Sequence, residues 1–299
     1  MEPSESPTLI QHILRISRPW ALGLSLLTYA LGGGVAHYLG TSLDWGRYLG
    51  GQLLVFILLL CGFFLFETFE LPPESVSSAD GEKPRRLTRS QALRISLILL
   101  TGGAACTALW IAQRSLTIVA LLILGLSVLV MLALSVPPFR LANSAYRDLL
   151  WGILFVNLIP AFAFALQSGE LHTLLGYLTL PLIFLYLSCS LALSLEHYAS
   201  DLKQGRRNML NRLGWERAVG LHHYLLLVGF LLFPLGSLMG IPRSLLFPGL
   251  LGLPVGLFQI WQLMRIVSGA PPRWRLLMIT AAATLVVTLY DLNLALWTD

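Results

Sequence analysis

Nine stretches of about twenty residues, each almost wholly apolar, are what this chain has to fold. They lie at 21–39, 47–69, 92–112, 115–135, 148–167, 173–195, 218–240, 245–265 and 276–296. A helix of about 20 residues, rising about 1.5 Å per residue, crosses the roughly 30 Å hydrocarbon core of a bilayer. Hydrocarbon offers no hydrogen-bond partner to an exposed backbone, so each stretch must close its own N–H and C=O bonds as a helix. The alternating pattern of a membrane barrel is absent. Charged residues make up 12% of the chain and hydrophobic ones 56%, against roughly 25% charged in a soluble domain. No soluble fold of 299 residues hides that much apolar sequence. The expectation is an all-α, multi-pass integral membrane protein: a nine-transmembrane-helix bundle forming one membrane-embedded domain over residues 1–299.

Lysine and arginine set the orientation. With the N-terminus cytoplasmic, seventeen of the twenty fall in cytoplasmic segments, and only Arg47, Arg114 and Arg243 on the other side. That bias follows the positive-inside rule and favours an odd number of spans, with the C-terminal Asp299 outside. The net charge of +5 is therefore topogenic, and no nucleic-acid partner is expected. The polar start, with His12, Arg15 and Arg18, is followed by no small-residue cleavage site, so the first span is expected to be retained. Cys61, Cys106 and Cys189 sit inside apolar runs without metal-ligand spacing and read as small core residues. Trp20, Trp45, Trp110, Trp151, Trp261, Trp274 and Trp297 lie mostly near span ends, where interfacial anchoring accounts for them.

Two long loops, roughly 70–91 and 196–217, each follow an even-numbered helix, begin acidic and turn basic. Helices 2–3 and 6–7 thus read as corresponding parts of two similar halves. In the first loop region Glu67, Glu70 and Glu74 recur at i, i+3 and i+7, one face of a helix, and Pro72-Pro73 end it. Three carboxylates on one face need a cation, a protonated member or a wet surface. A divalent-metal site, with Mg2+ favoured by all-oxygen ligands, and a solvated helix end are both open. In the second, Glu196-His197-Tyr198-Ala199-Ser200-Asp201 puts His197 and Asp201 at i, i+4. Cations follow each cluster: Lys83, Arg85, Arg86 and Arg89, then Lys203, Arg206 and Arg207. Carboxylates that hold Mg2+ beside cations that take phosphate oxygens make a diphosphate site. The apolar bundle beneath can hold a lipid tail. The same cations can also merely orient helices and meet anionic lipid headgroups.

At these residues the chain resembles the UbiA superfamily of intramembrane prenyltransferases. That family has nine transmembrane helices and two motifs, N-D-x-x-D-x-x-x-D after helix 2 and D-x-x-x-D after helix 6. Phe66 to Glu74 match the first, with Glu67, Glu70 and Glu74 for the three Asp and Phe66 for the Asn. His197 to Asp201 match the second, with His197 for its first Asp. Lys83 to Ser90 resemble the R-P-L-x-S-G stretch, Gly205 and Arg212-Leu213-Gly214 the D-x-x-x-G…L-G continuation, Arg18-Pro19-Trp20 the opening before helix 1, and Ser135 to Leu141 the S-x-P-P-x-R-L segment after helix 4.

The resemblance implies transfer of a prenyl group from a prenyl diphosphate to an aromatic or other lipophilic acceptor, among membrane lipids and, in a prokaryote, in the cytoplasmic membrane. It implies Mg2+ held by Glu67, Glu70, Glu74 and Asp201, with Glu196 or His197 as an alternative ligand. Asp201, Glu67 and Glu70 are the expected catalytic residues, and Arg85, Arg86, Arg140, Lys203 and Arg18 the diphosphate-binding ones. Phe63, Phe69 or Tyr198 would face the allylic cation. Asp291 and Asn293, inside the last span, serve either acceptor binding or helix packing. The competing readings are a non-catalytic lipid-binding homologue, a prenyl diphosphate cyclase on the same fold, and a transporter; the last needs more ionisable groups at mid-membrane depth than Asp291 alone.

Overall fold

The computed structural model describes residues 9–70, 87–141, 144–203 and 209–298, with side chains from residue 13 onward. Among them nine helices are long and apolar enough to cross a membrane: α1 Pro19–Tyr38, α2 Trp45–Glu70, α3 Arg89–Ala112, α4 Ile118–Ser135, α5 Arg147–Ser168, α6 Thr173–Leu195, α7 Trp215–Leu238, α8 Arg243–Val267 and α9 Trp274–Thr298. Each coincides with one of the nine apolar stretches to within three residues at either end. Short helices Leu9–Ile16, Tyr198–Lys203 and Met209–Leu213 occur at the end of the bundle where α1 begins.

Local chemistry sets several helix starts. Thr88 heads α3 with a capping box: its hydroxyl accepts from the Gln91 N–H, and the Gln91 side chain accepts from the Thr88 N–H. The Thr117 hydroxyl accepts from the Ala120 N–H at α4, and a His172 ring nitrogen accepts from the Leu174 N–H at α6. Pro19 opens α1, where an absent N–H breaks no helical bond. Within α5 a π-helical turn, Ile153–Leu158, runs up to Pro160. Proline cannot donate to the carbonyl four residues back; in the widened turn the Ile159 N–H reaches the Leu154 carbonyl instead.

The helices form two halves. In the first, α2 lies along α3 and α4, and α1 along α5; in the second, α6 lies along α7, and α8 along α9. The α2–α3 and α6–α7 pairs make the two most extensive helix contacts, and α9 joins the halves by packing on α1. Lipid provides no hydrophobic drive between helices, so contact depends on close backbone approach, which small residues permit. Gly32-Gly33-Gly34 provides it on three sides of α1. A Cβ at Gly32 would strike the Pro160 carbonyl of α5, one at Gly33 the Tyr48 ring of α2, and one at Gly34 the Trp297 indole of α9. Asn293 donates to the Leu27 carbonyl (3.1 Å) and Trp297 to the Ala30 carbonyl (3.2 Å), stitching α9 to α1.

Helix α3 is peripheral. Only Ala92 and Ser96 are buried along it, and Leu97 and Ile98 project outward. Cys61 and Cys189 are buried, but Cys106, on α3, is exposed; the peripheral position of its helix overturns its reading as a core residue. A second, smaller core of Leu195, Leu210, Ala218, Val219, Leu263 and Leu277 lies at the end where α1 begins. Tyr198, Trp215 and Trp274 pack against it, ring to ring at 5.8 and 6.3 Å. This core fastens the short helix Tyr198–Lys203 to the bundle.

Candidate functional site

A cavity of about 310 Å³ opens at that same end. Arg18, Arg147, Asp148, His197 and Asp201 line it as charged or titratable groups, with Ser190 and Ser194. Its aromatic walls are Trp20, Phe63, Phe66, Trp151, Phe155 and Tyr186. The π-helical turn carries Phe155, and Trp151 stands one turn before it; the two rings stack at 5.4 Å.

Arg18 precedes α1 in a left-handed backbone conformation, φ 44° and ψ 69°, which a residue with a Cβ adopts only at a cost and most often where function requires it. Its carbonyl still accepts the Ala21 N–H at 2.8 Å, starting the helix. Its guanidinium lies over the Phe63 and Phe66 rings at 5.2 and 5.3 Å. Phe66 stands where the family pattern has Asn, so a cation–π contact replaces an amide at this point. Burial first, and then the like charge of Arg147, pull the Arg18 guanidinium below its ordinary value, against Glu67 and Tyr186, which raise it. Two half-buried guanidinium groups that repel each other make a receptor for an anion placed between them.

Asp201 is 8% exposed and sits on the short helix Tyr198–Lys203, its N–H bonded to the His197 carbonyl at 2.8 Å. The expected i, i+4 placement therefore holds, and both side chains line the cavity. Glu67, on α2, is half-buried and near enough to Arg18 to act on it electrostatically. Lys203 is exposed and Glu196 half-buried; neither is among the described lining residues.

Glu70 and Arg140 meet each other rather than the cavity. The Arg140 guanidinium donates to the Phe69 carbonyl at 2.9 Å and pairs with the Glu70 carboxylate, closing the C-terminal end of α2, where a cation is favoured. Arg140→Ala is expected to lower stability by about 1 kcal/mol, after allowance for solvent screening, with ligand binding in the cavity retained. Thermal melting with and without ligand checks both parts. Glu74, Arg85 and Arg86 lie outside the described residues.

Among the aromatic residues expected to face a cation, Phe63 lines the cavity. Phe69 carries Arg89 over its ring at 5.9 Å, and Tyr198 packs on Trp215. Asp291 is half-buried and is not among the described lining residues. Trp20 and Trp151 were expected as interfacial anchors; both wall the cavity. Sequence reasoning passed over Arg147, Asp148, Tyr186 and Ser190. The available signals were an Arg-Asp pair opening the fifth span, and Ser190 and Ser194 one helical turn apart on α6, ahead of Asp201. Among the described residues no three His, Cys, Asp or Glu side chains gather closely enough to hold a metal ion.

A family model described as the UbiA prenyltransferase family matches residues 84–282. No curated protein matches the chain in sequence. Solved structures do match it in fold. A UbiA homologue from Archaeoglobus fulgidus, bound to GPP and Mg2+, superposes with a TM-score of 0.65 at 18% identity, over 94% of this chain and 99% of that one. The apo UbiA homologue from Aeropyrum pernix K1 gives 0.57 at 15% identity, over 96% and 99%. A structure concerned with digeranylgeranylglyceryl phosphate synthase in membranes gives 0.60 at 16% identity, over 95% and 97%.

Proposed function

This chain belongs to the UbiA prenyltransferase family, and on that premise we propose that it transfers a prenyl group from a prenyl diphosphate to a lipophilic acceptor, with Mg2+, inside the membrane. One observation carries the reading: Arg18 and Arg147 converge with Asp201 on a single cavity whose walls are aromatic. A diphosphate matches its charged residues and a prenyl chain its walls. The binding of GPP or DMAPP together with Mg2+ by the Archaeoglobus homologue supports the same assignment.

All-oxygen donors of this kind suit Mg2+. This ion seldom takes an all-protein cage; it is held by one or two carboxylates, with waters and substrate phosphates completing its octahedron. Asp201 and Glu67 would supply those carboxylates, and Glu70 and Glu74 remain further candidates within the first motif. Bound there, the ion would neutralise charge on the departing diphosphate.

The remaining chemistry falls to the chain. Arg18 and Arg147 take diphosphate oxygens and stabilise the negative charge that grows as the allylic C–O bond breaks, its electron pair leaving with the diphosphate. Phe63, Trp151, Phe155 and Tyr186 exclude water from the allylic carbon and offer it aromatic faces. The acceptor then forms the new bond to that carbon and loses a proton.

The test is thermal melting of the purified protein in detergent with geranylgeranyl diphosphate, with and without Mg2+. A ligand that binds only the folded state raises stability, by about 2.7 kcal/mol at a hundredfold excess over Kd. A Mg2+-dependent rise in Tm is expected in the wild type and its loss in Asp201→Asn, which still inserts and folds. A wild type unmoved by this and by shorter and longer prenyl diphosphates overturns the reading and leaves a non-catalytic homologue.

A further inference from the structure

Asp148 is the lining carboxylate that belongs to neither acidic cluster. It lies in the first turn of α5 and is 6% exposed. Its two hydrogen-bond partners are both donors, and both reach the same oxygen. The Ser190 hydroxyl donates to Oδ1 at 2.8 Å and the Arg147 Nε–H at 3.3 Å. Oδ2 has no partner among the described residues, and the side chain lines the cavity. It is not among the sealed, unsatisfied polar atoms of the bundle, so this oxygen is open to the cavity and free to accept a hydrogen bond from whatever enters it.

Its depth matters as much as its chemistry. Ser190 lies five residues inside the end of α6, about 7 Å at 1.5 Å per residue, whereas His197 and Asp201 lie beyond that end. A prenyl diphosphate whose phosphates meet Arg18 and Asp201 brings its allylic carbon to the level of Ser190 and Asp148. The surfaces around that level are flat: Trp151 stacks on Phe155, and Phe155 meets Tyr186 at 6.3 Å.

We infer that Asp148 seats the acceptor, its open Oδ2 accepting the hydroxyl hydrogen of an uncharged aromatic alcohol or phenol laid against the cavity wall formed by Trp151, Phe155 and Tyr186. The assignment rests on the prenyl-transfer reading and narrows its acceptor class. An acceptor carrying a carboxylate is disfavoured. It would bring a second anion against Oδ2, and the neighbouring cation, Arg147, is already shared between Asp148 and the diphosphate.

The test uses wild-type protein in detergent, first loaded with Mg2+ and the unreactive geranylgeranyl thiolodiphosphate. Two probes are then titrated by calorimetry: 1-naphthol and 1-naphthoate, which share a ring system and differ in carrying a hydroxyl or a carboxylate. The expected result is at least tenfold tighter binding of 1-naphthol. In Asp148→Asn the amide oxygen stays with Ser190 and Arg147 and the NH2 takes the place of Oδ2, so the preference is expected to vanish or invert while the response to the thiolodiphosphate persists. Equal or tighter binding of 1-naphthoate by the wild type overturns the seat, as does binding of neither probe, or an Asp148→Asn protein that keeps the wild-type preference. If the thiolodiphosphate itself fails to bind, the prenyl-transfer reading falls and the seat falls with it. The wild-type comparison stands even if the variant does not fold.

Discussion

Arg18→Met is expected to weaken geranylgeranyl diphosphate binding on the order of 100-fold while leaving the unliganded protein as stable as the wild type or more so. The two effects have opposite signs for one reason. In the free protein Arg18 is half-buried and faces the like charge of Arg147, so partial desolvation first and that charge second hold its guanidinium below its ordinary value. A base whose folded-state value is lowered disfavours folding wherever it is charged in both states, which for arginine is the whole working pH range. Methionine removes the charge and keeps an unbranched stem against Phe63 and Phe66. With ligand present the balance reverses. Losing one partner of a desolvated cation–phosphate contact costs about 2–5 kcal/mol. Thermal melting with and without ligand reads both quantities from one preparation. A variant that still responds like the wild type removes Arg18 from the site.

Gly32→Leu is expected to prevent recovery of folded, monodisperse protein. A Cβ there meets the Pro160 carbonyl and the Ala163 side chain of α5. Backbone cannot swing aside as a flexible side chain can, and over-packing costs about 1–3 kcal/mol even where neighbours yield. Pro160 also follows the π-helical turn that carries Phe155, so a displaced α5 disturbs the cavity as well as the bundle. Gly23→Leu on the same helix is the control, because a Cβ at Gly23 meets nothing within 4 Å. Size-exclusion profiles and melting curves should separate the two variants clearly; similar behaviour would refute the close-packing account of α1.

Hydropathy was sufficient for the spans because a bilayer imposes one length and one polarity on every crossing segment. The pairing of His197 with Asp201 was legible for a similar reason: one turn of helix fixes it whatever surrounds it. What could not be read was which side chains meet across helices. Glu70 and Arg140 each fitted a diphosphate site by residue type, yet they are seventy positions apart and join to each other. Arg147 counted only toward topology, and Asp148 passed unnoticed, because no spacing in one dimension announces that α5 and α6 bring Asp148 to Ser190. Trp20 and Trp151 shared the ordinary signature of interfacial tryptophans, and only the course of α1 and α5 brings them to the wall of the cavity.

The small core beneath Tyr198, Trp215 and Trp274 gives the two rims of the binding site unequal anchorage. Arg18, Phe63 and Asp148 belong to helices anchored in the large core, whereas Asp201 rides on a segment held by far less buried surface. Free energies of local opening scale with such burial and differ from one part of a molecule to another. On that basis one rim of the cavity is expected to loosen and re-form while the bundle stays intact, which would let a bound anion leave without unpacking any membrane-spanning helix.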